Sequence, residues 1–198
     1  MHALIVVSHP EPGSLTHRVA AEIAKSIADA GAAHTFEVAD LAAEGSDPRY
    51  NPADLALFRN QGQPPADVLA EQTRIERADA LVLVFPVYWW SFPATLKGWI
   101  DRVFTGGWAY SETSGGLLKR LPVHLVAIGA SGKPTYDKHG YATAMKTQIE
   151  HGIFGYCGAR VVSSHLLTEA DEGFPQTHFD TARRVGRELP EQTDQQAP

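Results

Sequence analysis

Short, nearly unbroken apolar runs separated by stretches of helical periodicity are what most constrain this chain. Leu4 to Val7, Leu81 to Phe85 and Val123 to Ile128 carry almost no polar residue. That pattern belongs to strands buried on both faces, and such strands occur in parallel sheets covered by helices. Two more mixed runs, Thr35 to Val38 and Val161 to Leu167, complete a set of five. Between them, helices are expected at about 15–30, 67–77, 93–104, 143–154 and 177–188. The first carries Val19, Ile23 and Ile27 at i, i+4, i+8 and stops at Gly31. Strands alternating with helices imply right-handed crossovers, so the expected fold class is α/β: a doubly wound three-layer sandwich on a five-stranded parallel sheet of order 2-1-3-4-5.

Two segments stand outside this alternation. Residues 40–66 are rich in Asp, Pro, Gly and Asn without a period and read as a long excursion, and residues 129–140 read as a Gly-rich loop. No repeat or linker divides the chain, which predicts a single domain over residues 1–190 followed by a disordered polar tail at 191–198.

Composition narrows the partners. The 198 residues are 43% hydrophobic with a net charge of −6 and no basic stripe, which argues against nucleic acid. No apolar run approaches the roughly 20 residues that span a bilayer, and no signal-peptide pattern opens the chain. The lone Cys157 forms no internal disulfide and reads as a small buried hydrophobe, so the expected location is the cytoplasm.

In an open α/β sheet, ligands sit outside the carboxyl ends of the strands. One such loop is Phe85-Pro86-Val87-Tyr88-Trp89-Trp90-Ser91-Phe92-Pro93, with Pro93 placed to open a helix. Its flat apolar side chains suit a planar aromatic ligand such as a flavin; the alternative is that Trp89 and Trp90 pack in a core or an interface. A second loop, Ser8 to Thr16, brings Ser14 to a helix start. There the N–H groups of Ser14, Leu15 and Thr16 are expected to be unpaired at the positive dipole end and to suit a phosphate, with His9 as a further donor. The alternative is ordinary capping by Ser14.

A third loop, Gly129-Ala130-Ser131-Gly132, offers permissive backbone beside Tyr136, His139 and Tyr141. It fails as a Walker loop, because its glycine spacing is short and Pro134 takes the hydroxyl position. It also lacks the spacing of a hydrolase elbow. No G-x-G-x-x-G follows the first strand, and the nine histidines show no zinc-protease spacing, so no metal site is expected.

Taken with these loops, the pattern FP-x-x-W-x-x-x-P-A-x-LKGW-x-x-RVF over Phe85–Phe104, the stretch Ala70-Glu71-Gln72 to Ala78-Asp79, and Gly152-Ile153 to Cys157-Gly158 resemble the flavodoxin-like NAD(P)H:quinone oxidoreductases. That is the family of DT-diaphorase and of bacterial reductases related to modulator of drug activity B. The resemblance runs over most of residues 2–167. It implies a flavodoxin-like fold, a flavin phosphate at His9, Ser14, Leu15 and Thr16, and a ring lined by Pro86, Val87, Tyr88 and Trp89 and by Gly129, Ala130, Ser131 and Gly132.

It further implies that Tyr136 and His139 stabilise charge on the cofactor as catalytic residues, with Trp90, Trp108 and Tyr141 walling the substrate site. Tyr136 and His139 stand closer together than in mammalian members, and Tyr141 shares the second role. The implied cofactor is FAD, with FMN as the alternative, and NAD(P)H is the co-substrate. The implied reaction is a ping-pong two-electron reduction of a quinone or similar acceptor by a homodimer. Two other functions fit the same fold: a regulatory flavoprotein subunit of a potassium efflux system, and a flavodoxin-type electron carrier.

Overall fold

The run Leu81 to Phe85 becomes the middle of a parallel sheet because nothing along it tolerates water. In the computed structural model, which describes the backbone of residues 1–194 and the side chains of residues 1–190, every residue of Ala80–Pro86 is buried. The elements are β1 (His2–Val7), α1 (Leu15–Asp29), β2 (Thr35–Asp40), α2 (Pro52–Phe58), α3 (Ala66–Arg77), β3 (Ala80–Pro86), α4 (Ala94–Val103), β4 (Tyr110–Ser111), β5 (Gly115–Gly116), β6 (Pro122–Gly129), α5 (Lys133–Lys138), α6 (Tyr141–Met145), β7 (Arg160–Thr168) and α7 (Gln176–Asp194). α6 runs on as a π-helix over Lys146–Gly155.

Five strands pair in parallel in the order β2-β1-β3-β6-β7, which is the expected 2-1-3-4-5 once the β4–β5 hairpin is set aside. Helices cover both faces. On one, Val19, Ile23 and Ile27 of α1 meet Ala182, Val185 and Leu189 of α7 over Ile5, Val82 and Val84. On the other, Leu96, Trp99 and Ile100 of α4 pack with Ile75 of α3 over Leu4, Leu81 and Leu83. Among the described residues no helix is long and apolar enough to cross a membrane.

The structure corrects four expectations. Residues 40–66 are not all irregular, for α2 lies within them. Asn51 Oδ1 accepts from Ala53 N–H at 2.8 Å and Asp54 N–H at 3.2 Å, while Asp54 Oδ2 accepts from Asn51 N–H at 2.9 Å, a reciprocal cap that starts a helix at Pro52. The excursion is pinned to α4 by Arg102, which bonds Asp54 at 2.9 Å, Asp67 at 2.7 Å and the Asp47 carbonyl at 3.0 Å. Gly98 permits that approach, since a Cβ there would lie 2.2 Å from the Pro48 carbonyl oxygen.

The supposed loop at 129–140 contains α5, because Pro134 falls in the first turn, where its missing N–H is not needed. The hairpin β4–β5 was not anticipated in the sequence, its strands being only two residues each. The last helix continues through Pro190 to Asp194 because Leu189 prolongs the buried stripe of Ala182 and Val185, so 191–194 are helical; the expected disorder at 195–198 lies outside the described residues. Cys157 is buried as expected, and burial pushes its thiol up to about 11.

Candidate active site

Three loops leave the carboxyl ends of adjacent strands and are stitched to one another through the backbone. The Ser8 N–H donates to the Val84 carbonyl at 3.2 Å, and the Val87 N–H donates to the Ile128 carbonyl at 2.8 Å. The segments following β1, β3 and β6 therefore share one rim of the sheet.

At the first, Ser14 caps α1, its Oγ accepting from the His17 N–H at 3.3 Å. Its own N–H is not free, contrary to expectation, but donates to the Glu11 carbonyl at 3.1 Å, because the Pro-rich approach closes as a turn. The N–H groups of Leu15 and Thr16 remain in the first helical turn, which has no preceding carbonyls to satisfy it. Thr16 is itself buried. His9 accepts from the Glu11 N–H through Nδ1 at 3.0 Å, which puts its ring proton on Nε2 and leaves that atom to donate.

The sequence reading missed a relay behind Ser14. Its hydroxyl bonds His17 Nδ1 at 2.9 Å, and His17 Nε2 bonds Asp40 Oδ2 at 2.8 Å. Burial disfavours the Asp40 carboxylate, but hydrogen bonds from Ala43 N–H, His17 and Ala42 N–H outweigh it and hold the carboxyl below its usual range. Asp40 accepts from His17 Nε2, which turns Nδ1 of the same ring toward the Ser14 hydroxyl. Two signals were available: a His three residues after the cap, and an Asp closing the strand beside β1.

The aromatic loop is a two-residue reversal closed by Tyr88 N–H to Ser91 carbonyl at 3.2 Å and Ser91 N–H to Tyr88 carbonyl at 3.1 Å. It requires positive φ at both central residues, 49° at Trp89 and 60° at Trp90, which bulky side chains rarely adopt. Trp89 is thrown outward, 92% exposed. Trp90 folds inward, stacked on Tyr141 at 3.8 Å and edge-on to Tyr136 at 5.1 Å, and Tyr141 stacks in turn on His139 at 5.3 Å.

Tyr136 is buried against Gly129, where a Cβ would lie 2.3 Å from the phenolic oxygen. Burial raises that phenol above its usual range, so at neutral pH it is a proton-bearing donor. Ala130 is exposed, and Ser131 and Gly132 are half-buried at the start of α5.

Trp90, Tyr136, His139 and Tyr141 thus come together, whereas Trp108 does not join them within the chain. Its indole N–H donates to Glu76 at 2.7 Å, near the end of the helix that precedes β3. Trp90 follows the far end of that strand, about 20 Å away at strand spacing. Trp99 is buried and donates to Glu71 at 2.8 Å, which makes it a core residue.

Comparison with known proteins adds three findings. Residues 1–188 match a family described as having a flavodoxin-like fold. An "Uncharacterized NAD(P)H oxidoreductase" of Haemophilus influenzae is 30% identical over 200 residues, covering 98% of this chain and 95% of the relative, and the guinea-pig NAD(P)H dehydrogenase [quinone] 1 is 29% identical over 83% of this chain and 67% of its own length. The solved NAD(P)H:quinone oxidoreductase of Methanothermobacter marburgensis superposes with a TM-score of 0.87 at 28% identity, covering 96% of this chain and 97% of that one.

Proposed function

The chain belongs to this flavodoxin-like oxidoreductase family, and from that premise we propose that it is a flavin-dependent NAD(P)H dehydrogenase reducing quinones or similar acceptors. The observation that carries the proposal is the convergence, on one rim, of a helix start with free N–H groups, an aromatic turn and a glycine-backed phenol. A bound flavin supplies the hydride acceptor and donor that the side chains lack.

The residues present fit such a group. Leu15 and Thr16 N–H, His9 Nε2 and the Ser14 hydroxyl address a phosphate, and Asp40 and His17 orient that hydroxyl. Pro86 to Trp89 present a flat apolar wall, and the backbone of Gly129, Ala130, Ser131 and Gly132 faces it across the rim. Tyr136 holds its proton and donates toward developing negative charge. His139, at the outer end of the Trp90–Tyr141 stack, is a second and more solvated donor.

NAD(P)H and the acceptor occupy the same aromatic surface in turn, a ping-pong scheme. FAD is the form the resemblance implies and FMN the alternative, because the phosphate, ribityl and ring portion common to both is what these loops fit. A homodimer is also proposed. Its support is the family together with Trp89, which is 92% exposed and uncovered within the chain.

Absorbance and mass of cofactor released from purified protein test the reading directly: FAD or FMN near one per chain is expected, and a colourless protein that takes up neither overturns it. Ser14→Asp sharpens the test, since Asp caps a helix as well as Ser does while adding a charge at the phosphate. Flavin affinity should fall by about tenfold or more at unchanged thermal stability.

A further inference from the structure

One helix holds the turn after β3 at two points. Trp90 stacks on Tyr141 at the start of α6, and the Ser91 hydroxyl donates to Gln148 Oε1 at 2.6 Å in the π-helical continuation. Tyr141 and Gln148 are seven residues apart, close to two helical turns, so one helix face addresses the third and fourth residues of the reversal Tyr88-Trp89-Trp90-Ser91. Met145 lies between them on that side and is buried, which seats the helix on the core.

Gln148 stands where the helix has left the α register. The i→i+5 form runs from Lys146 to Gly155, although π-helix occurs mostly as single-turn bulges, frequently at functional sites. The wide register keeps Ile149 and Phe154, five residues apart, both in the core. In an α-helix they would point about 140° away from each other. With Ile149 anchored, its neighbour Gln148 is turned to the surface beside the aromatic turn.

The turn depends on being held. Positive φ at two successive tryptophans is unfavourable, so the reversal keeps its form only while contacts at its ends outweigh that cost. On the side of its own strand, Phe92 is buried edge-on to Phe85 at 4.7 Å. On the side of the helix the holds are the Tyr141 stack and the Gln148 bond. Releasing Ser91 frees the fourth residue and lets Trp89 leave its place on the rim. We infer, on the function proposed above, that Ser91 and Gln148 are positioning residues for the acceptor: by locking the reversal they fix the apolar wall that Trp89 presents, and so favour broad flat acceptors, which bury more of their surface on it, over single-ring ones.

The test compares Ser91→Ala, Gln148→Ala, the double variant and Gln148→Glu in flavin-loaded protein. Gln148 is exposed and Ser91 half-buried, so neither change threatens the fold. The net worth of one such hydrogen bond is about threefold to tenfold in an equilibrium. KM for a two-ring naphthoquinone should rise by that factor in each Ala variant and no further in the double one, with a smaller rise for a one-ring benzoquinone. Flavin content and the rate of flavin reduction at saturating NAD(P)H should hold. Gln148→Glu keeps the acceptor oxygen and should restore the wild-type KM. Amide exchange at Tyr88 and Ser91, whose N–H groups close the turn, should quicken by a similar factor in the Ala variants, with or without cofactor, so the lock is tested apart from the flavin reading. Additive losses, equal shifts for both quinones, a Gln148→Glu variant no better than Gln148→Ala, or unchanged exchange would each overturn the proposal.

Discussion

Trp90 lies flat on Tyr141, ring centroids 3.8 Å apart and planes 13° from parallel, so the turn after β3 is clamped to the helix after α5. The clamp accounts for a conformation the turn would not choose alone, since left-handed backbone at two successive tryptophans is unfavourable. Trp90 gains a stack and an edge contact in return, whereas Trp89 gains nothing within the chain.

Trp89 is accordingly where stability and function should part. Trp89→Asn removes a bulky side chain from a left-handed position that Asn tolerates, and should stabilise the protein by about 1 kcal/mol. The same change strips the apolar wall, so KM for the quinone should rise. Thermal melts and steady-state kinetics on one preparation check both; a lower Tm would show that Trp89 is packed, against a partner subunit or otherwise.

Tyr136→Phe keeps the ring contact with Trp90 and deletes only the donor. Cofactor reduction by NAD(P)H should slow by about tenfold, the low end for loss of one preorganised donor, with flavin content unchanged. His139→Gln should have a smaller effect because that residue is exposed. Stopped-flow reduction of each variant separates them, and wild-type rates in both would remove these side chains from the chemistry.

His124 links β6 to the sheet edge through Ser163 at 2.9 Å, and burial, aided by His165 and Arg160, lowers its pKa to about 4. The unfolded chain takes up this proton near 6.5 and the folded one only near 4. Its contribution is thus present above the unfolded value and lost as pH falls through the folded one, a matter of a few kcal/mol. His124→Gln should flatten the fall in stability between those values, as read from urea midpoints across the range.

Asp54→Ala should be the most damaging of these changes. Asp54 and Arg102 are both buried, and removing one member of such a pair costs on the order of 3 kcal/mol. The reciprocal half of the α2 cap, the Asn51 N–H to Asp54 Oδ2 bond, is lost with it, while Asn51 Oδ1 keeps its own two bonds. Asp67→Asn, at the exposed end of the same network, should cost about 1 kcal/mol or less. Guanidinium midpoints compare the two, and equal losses would mean that burial does not govern this network.

Strand identity and order, and the strand ends on which the candidate site was sought, were set by local sequence. A run such as Leu81 to Phe85 has no polar face to leave in water, and parallel strands joined by helices have one favoured handedness. The aromatic loop and the cap at Ser14 were legible for the same reason, since both follow directly from residue type beside a strand end. Asn51-Pro52-Ala53-Asp54 carried its helix signal too, although the polar composition around it concealed the short element.

Contacts between residues far apart in sequence were decided only by the tertiary structure. His17 meets Asp40 because β1 and β2 end side by side, Arg102 reaches Asp54 across the excursion, and the two left-handed tryptophans are held by stacking on Tyr141. Trp108 was assigned to the site on the family resemblance, and Glu76 draws it to the opposite end of β3. Residue type and periodicity report how a segment buries its own surface, whereas a side chain's partner depends on which other segment the fold brings within hydrogen-bonding distance.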